Sequence, residues 1–484
     1  MLPPPHLLFD TLSYCHHITK CQTSMFKSKY YLPIDALAKS YQNEEKIQTF
    51  TYDRNVDVYK SAIILPLKKY RDPKVNNGEP VNYGGVFDEN LNFLAGYVCS
   101  EESKGTGDLE YIHSYKPDEI EHSDETVIFS GDLNNHFGHF VTDSMPRFWY
   151  AASGKDENLK IAILLNHHWG WKEWVFEDSY HLRMLELLGI ERHRILIIEK
   201  PTLFKSVIVP KQPVYWGGNS YDPELLKVVY DKSIQSIAPK DTKRIYLSRS
   251  SWRSPLLNEE YFEKFFSARG FKVLHTQELP LDEQIAYLAG ADEIACTYGT
   301  LSHLVLFAKP GTKLMCLLRN HGAIGGRQQI IDQMKQINSV YIDASFNFLP
   351  SIHNVDNNLL LPTAQWRDFL KHEYGVEDQT DIFENLDQSE IQFGTFFKFY
   401  LRHLGSQYFF KHTFGFTFSP FPYLKSLYNS LDPNGTGRIA GAVKITDNPL
   451  FRGKYFIYKG LISILSVWLN SLQTGAYGRW MPIR

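Results

Sequence analysis

The sequence predicts an α/β protein with two facing Rossmann-like domains and an additional aromatic-rich region at its C-terminal end. Short unbroken apolar runs alternate with stretches of helical period, the pattern of parallel strands covered on both faces. The alternation becomes regular between residues 244 and 319. At 484 residues the chain is also too long for one ordinary core.

Residues 1–45 read as an irregular leader and 46–215 as an N-terminal α/β domain. In that domain VIFSGDL (127–133) reads as strand and turn, HFGHFVTDSMPRFWYAA (136–152) as a helix, and IAILL (161–165) as a buried strand. HLRMLELLGI (181–190) has helical spacing, and ILIIE (195–199) and SVIVP (206–210) are strands. Residues 216–375 form the second domain. Strand RIYLSR (244–249) precedes helix 258–270, with Asn258 as N-cap and Gly270 as its stop. FKVLH (271–275) precedes the helix LDEQIAYLAGA, and EIACT (293–297) precedes a turn and the helix LSHLVLFA. PGTKLMCLLR (310–319) supplies the next strand. Residues 376–390 are acidic and polar. The Phe- and Tyr-rich stretch beyond them carries Lys398, Arg402 and Lys411. A packed helical lobe, a partner surface and a membrane-surface contact through 391–472 all fit that composition.

A formal net charge of −3 gives no basic field to recruit nucleic acid. The five cysteines, Cys15, Cys21, Cys99, Cys296 and Cys316, form no C-x-x-C pair, so neither zinc ligation nor a disulfide framework is suggested. The N-terminus lacks the basic start and apolar run of a secretion signal. The longest apolar stretch near the end, Leu461 to Leu469, is about nine residues where a bilayer crossing needs roughly twenty. The expectation is a cytoplasmic protein, with peripheral contact at the inner membrane face left open.

In an open parallel sheet, ligands bind beyond the carboxyl ends of the strands. On that rim the sequence places Ser248 and Arg249, with Arg253 just beyond, then Tyr298, Gly299 and Thr300, with Ser302 and His303. Arg319 follows on the next strand, before a glycine-containing loop at 320–326. A glycine permits close backbone approach, hydroxyls and turn N–H groups attract anions, and guanidinium forks match a diphosphate. Such fixed donors can stand where a metal ion would otherwise meet a leaving group. The blander reading is a helix cap at Thr300 and Ser302 and a surface ion pair at Arg249. A second group is His136, His139 and Asp143, with Arg147 after it. His139 and Asp143 are four apart on a helix, so carboxylate and imidazole meet and can act as a base. A structural pair, or a metal site with His136, is also open. His167, His168 and Trp169 either line the cleft or form a surface turn.

In order and spacing these residues resemble glycosyltransferase family 61, which includes plant β-1,2-xylosyltransferases, animal O-linked N-acetylglucosaminyltransferases and bacterial capsular polysaccharide enzymes. The family's Asn-x-x-His-x-x-x-Asp/Glu-x-x-Pro-Arg run is matched by His136, His139, Asp143, Pro146 and Arg147, with His136 in place of asparagine. Its second-half pattern is matched by Leu247-Ser248-Arg249, Asn258-Glu259, Glu283-Gln284 and Tyr298-Gly299-Thr300-Leu301-Ser302-His303 with Phe307. Tyr298-Gly299-Thr300 stands where eukaryotic members have His-Gly-Ala, and His303 where asparagine is usual.

The resemblance implies a GT-B-type fold and an inverting, metal-independent transfer from a nucleotide sugar, with UDP the expected nucleotide and no cofactor. The diphosphate would lie on Arg249, Arg253, Gly299, Thr300 and Ser302, with Ser248, Tyr298 and His303 beside it and Glu283 or Gln284 near the ribose. Asp143, assisted by His139, would take the acceptor's proton, with His136 and Arg147 on the acceptor side. The expected partners are a nucleotide sugar and a glycan or lipid-linked oligosaccharide of a capsule or exopolysaccharide pathway in a bacterium. A nucleotide-sugar epimerase and a non-catalytic scaffold of a polysaccharide-assembly complex are the rival readings.

Overall fold

The computed structural model describes residues 28–52, 55–70, 81–96, 117–166, 179–251, 258–319, 322–346 and 359–377, with Gln22, Thr23, Phe176 and Leu256. Arg253, the His167–Trp169 turn and the aromatic-rich stretch 391–472 lie outside the described residues.

The supposed leader contributes to the fold. β1 (Lys29–Tyr31) and α1 (Ile34–Glu45) lie within it. The buried positions of α1 are Ala36, Ser40 and Glu44, four apart as a helix requires but small or polar. That face carries no apolar stripe, so hydrophobic periodicity misses the helix. Ser40 Oγ accepts from Ile324 N (2.9 Å), and Glu44 accepts from Ser28 N (2.8 Å), which satisfies the buried polar groups.

The first large sheet contains β2 (Val56–Tyr70), β3 (Val81–Phe87), β4 (Phe93–Ala95), β5 (Glu121–Asn134), β6 (Lys160–Asn166), β7 (Ile195–Ile197) and β8 (Thr202–Pro210). Their order is β4-β3-β2-β8-β5-β6-β7. Strands β8, β5, β6 and β7 run parallel, whereas β2, β3 and β4 pair antiparallel. The first half is therefore a mixed sheet rather than a Rossmann-like one. Antiparallel neighbours need no crossover helix, so this edge has no helical signal to alternate with.

The second large sheet contains β9 (Arg244–Ser248), β10 (Lys272–His275), β11 (Glu293–Thr297), β12 (Lys313–Leu318) and β13 (Asn338–Asp343), with β1 at its edge. Its order is β10-β9-β11-β12-β13-β1, and every pairing is parallel. The five strands of the second half thus follow the doubly wound order 2-1-3-4-5. In this order the chain reverses direction of winding between β9 and β11, where a crevice opens at the strands' carboxyl ends.

The helices include α2 (Tyr180–Leu187), α3 (Pro223–Gln235), α4 (Glu259–Ser267), α5 (Leu281–Gly290), α6 (Gly326–Lys335) and α7 (Ala364–Tyr374). Asn258 holds the residue before α4 but makes no side-chain cap. It is left-handed (φ 63°), and its Nδ2 donates to Leu360 O at 2.9 Å. Gly270 does stop the turn after α4, at φ +82°. No helix among the described residues is long and apolar enough to cross a membrane.

One apolar cluster runs through both halves, joining Ile128 and Ile161 of the first sheet to Ile245, Ile294 and Leu314 of the second. Helix α3 bridges them. It starts at Pro223 behind an Asp222 cap that accepts from Glu224 N and Leu225 N. Tyr230 Oη then donates to Val141 O (2.8 Å) and Lys232 Nζ to Ala152 O (2.7 Å), so the segment 137–152 is held against the second half.

Candidate functional site at the junction of the two sheets

The residues after β5 form no uniform helix. Phe137–His139 is α-helical, Phe140–Ser144 a π-helical turn, Met145–Phe148 a 3-10 turn and Trp149–Ala152 α-helical again. Pro146 lacks an N–H and interrupts the regular ladder, and π turns are frequent where side chains must be re-aimed at a site. Asn134 secures the entry. Its Oδ1 accepts from His136 N (2.9 Å), its N–H donates to Ser144 Oγ (3.0 Å), and its carbonyl accepts from His181 Nε2 (2.9 Å).

The pair expected from the spacing is formed: His139 Nδ1 lies 2.7 Å from Asp143 Oδ2. Thr142 Oγ1 lies 2.8 Å from Asp143 Oδ1, and Arg327 Nη1 lies 3.2 Å from the same oxygen. Arg327 comes from α6, lies 3.1 Å from Thr142 Oγ1 and covers the Trp216 ring at 5.2 Å. Burial pushes the Asp143 acid up, but the His139 hydrogen bond and the Arg327 charge outweigh it and hold the acid below its ordinary range. Asp143 therefore stays ionised. In the neutral imidazole, donation from Nδ1 puts the lone pair of His139 at Nε2.

The glycine turn beyond β11 meets this segment. Gly299 adopts φ +122° and ψ −141°, and a Cβ there would lie 2.7 Å from Arg319 Nη2. The conformation requires glycine, and a side chain there would also displace the Arg319 guanidinium. A Cβ on Gly138 would lie 2.6 Å from Thr300 Oγ1, so the two groups singled out in the sequence touch. Arg249 follows β9 directly, and its charge acts on this segment. The His136 imidazole is pushed below its usual range by burial first, then by His139, with the Arg249 charge adding to it. The His136 and His139 rings pack edge to face with centroids 5.2 Å apart.

Several expected ligand contacts are engaged within the protein. Ser302 is buried, and its Oγ accepts from Gly299 N (3.1 Å) and contacts Gln328 Oε1 (2.7 Å). Tyr298 Oη accepts from Gly325 N (3.2 Å), and burial pushes its phenol up to about 12. His303 Nδ1 lies 2.7 Å from Gln328 Oε1. Ser248 is buried with its Oγ hydrogen-bonded to Glu263. Glu283 pairs with Lys240 and Gln284 Nε2 donates to Leu279 O (2.9 Å), contacts that tie down α5 rather than reach the junction. Arg147 is 4% exposed and donates to Gly96 O (3.1 Å), so its contacts are internal.

Two residues at the junction escaped the sequence reading, Arg327 and Gln328. They follow directly on the glycine-containing loop at 320–326. The rule that drew attention to that loop, ligands beyond strand carboxyl ends, would have reached them two residues later. His136, His139 and Asp143 do not form a metal-ligand group. Among the described residues no cluster of three or more His, Cys, Asp or Glu does.

Residues 137–315 match the family model described as Glycosyltransferase 61. No curated protein matches the chain. The matched range begins at the His139–Asp143 segment, spans α3 and β9 to β11, and includes the Gly299 turn that meets it. Over residues 137–315 the chain is thus similar to glycosyltransferase family 61.

Proposed function

We propose that the protein transfers a sugar from a UDP-sugar to a glycan hydroxyl with inversion and without a metal ion, in assembly of a bacterial capsular or exopolysaccharide at the cytoplasmic membrane face. The carrying observation is the contact of Gly138 with Thr300, which sets the His139–Asp143 pair against the rim at the β9/β11 reversal. In this reading the donor's diphosphate lies over Gly299 and Thr300 between Arg249 and Arg319, whose fixed charges meet the negative charge growing on the leaving group. The acceptor oxygen attacks C1 of the sugar from the opposite side as the C1–O bond to phosphate breaks, and nucleoside diphosphate leaves.

The acceptor proton goes to His139 Nε2 rather than to Asp143, because Asp143 already accepts from His139, Thr142 and Arg327 and is held below its usual range. Asp143 then fixes the ring's orientation and meets the imidazolium charge, as a carboxylate beside a catalytic histidine does.

Two variants separate binding from chemistry. His139→Ala should keep UDP affinity within about twofold and lose about 10²–10⁴ in turnover, the usual worth of a general base. Arg249→Ala should weaken UDP binding itself. Full activity in both would remove the site from this place. Product formed from a nucleotide sugar without any acceptor would favour the epimerase reading instead.

A further inference from the structure

Behind the junction a chain of hydrogen bonds runs out of the second core to His303. Asp332 is fully buried and accepts from Tyr341 Oη and from Gln328 Nε2 (2.9 Å). With Nε2 spent on Asp332, the Gln328 amide presents Oε1 the other way. That oxygen only accepts, and it receives Ser302 Oγ (2.7 Å) and His303 Nδ1 (2.7 Å). His303 must therefore carry its proton on Nδ1, which leaves a lone pair at Nε2. The ring is only partly buried, and Nδ1 makes its hydrogen bond while none is seen at Nε2 among the described residues.

We infer that His303 is a positioning residue that accepts a hydrogen bond from a hydroxyl of the transferred sugar. This rests on the transferase reading above and deepens it. A lone pair repels a phosphate oxygen but takes an O–H, so the diphosphate role expected for His303 from its place in the motif gives way to sugar recognition. Its place also fits the sugar. His303 follows the Gly299–Thr300 turn by three residues, where the diphosphate would lie, and it feels the charges of Asp143 and His139, where C1 would react. The groups facing the ring are Arg327 and Gln328 of α6 and His139 and Asp143 of the first half. Burial and the Arg327 charge pull the imidazole down to about 4, which keeps it a neutral acceptor at physiological pH.

The test is calorimetric titration of UDP and of a set of UDP-hexoses and UDP-pentoses into the full chain and its His303→Phe and His303→Asn variants. Phe keeps the ring's bulk and removes the acceptor, whereas Asn restores a carbonyl acceptor. The expected result is unchanged UDP affinity in both variants. The extra affinity that the preferred sugar adds to UDP should fall about tenfold in His303→Phe and be largely kept in His303→Asn. Equal loss for UDP and UDP-sugar, or no loss for either, overturns the assignment of His303 alone. A wild-type chain that binds neither UDP nor any UDP-sugar contradicts the transferase reading instead. Nitrogen-15 spectra of the histidine rings in the wild-type chain need no variant to fold. They should show His303 protonated at Nδ1 only, unchanged from pH 8 to pH 5.5, and a proton at Nε2 at pH 7 would overturn the proposal.

Discussion

His139 and Asp143 are fixed by more than each other. Thr142, Arg327 and the Asn134-anchored entry hold the carboxylate and the turn that carries it. The i, i+4 spacing was enough to foresee the pair, because four residues return to nearly the same face in an α or a π turn. What holds Asp143 ionised was not legible, since it includes the charge of Arg327, distant in sequence. Gly138 carries a second, sharper dependence. A methyl group there would lie 2.6 Å from Thr300 Oγ1 and 3.3 Å from both its Cγ2 and His136 Cε1, so the Thr300 side chain must give way. Gly138→Ala should lower turnover by about tenfold, an ordinary cost for a misplaced reacting group. Thr300→Ala in the same chain removes the two Thr300 atoms, the nearest among them, and should recover most of the loss. Steady-state kinetics on the single and double variants decide it, and full activity of Gly138→Ala would mean that the two segments do not meet as described.

At the scale of the element, α4 and α1 differ in what the sequence could reveal. The strands and helices of the second half alternate in apolar runs, and β9 to β12, α4 and α5 follow them closely. Helix α1 buries Ser40 and Glu44, and the π turn departs from the 3.6-residue period, so neither had a pattern to read. Helix α4 begins with a buried acid, Glu259, which accepts from Arg249 N (3.1 Å) and Tyr246 Oη (3.2 Å). Burial still wins and pushes Glu259 up to about 8, and Asp132 and Asp332 are pushed by burial to about 7. A raised folded value means stability that is fully present at low pH and lost as pH rises through that value. His181 and His303, pulled down to about 4, act oppositely, but their contribution is complete above about pH 6.5. Between pH 6.5 and 8.5 the raised carboxyls, Glu259 above all, lose stability, so the melting temperature should fall with pH. Glu259→Gln, which mimics the neutral acid, should remove on the order of 2 kcal/mol of that decline. Thermal melts at the two pH values check this, and parallel declines in wild type and variant would place the Glu259 acid in its ordinary range.

Across the whole molecule, one apolar cluster joins a mixed seven-stranded sheet to a parallel six-stranded one, with α3 between them. Doubly wound order in the second sheet was legible from its rhythm. The antiparallel edge of the first sheet was not, because strands that pair as neighbours without a crossover leave no helix between them. The arrangement puts Arg249 and Gly299 at the winding reversal, and α3 brings the His139–Asp143 segment to the same rim. The most direct test is a thermal-shift screen of the full chain against UDP, GDP, CDP, TDP and CMP, each with and without manganese. A nucleotide at about 100 times its dissociation constant should add roughly 2.7 kcal/mol, enough to raise the melting temperature measurably. The account predicts a rise with UDP that manganese does not change and that Arg249→Ala abolishes. No rise with any nucleotide, or a rise only when manganese is present, would contradict it.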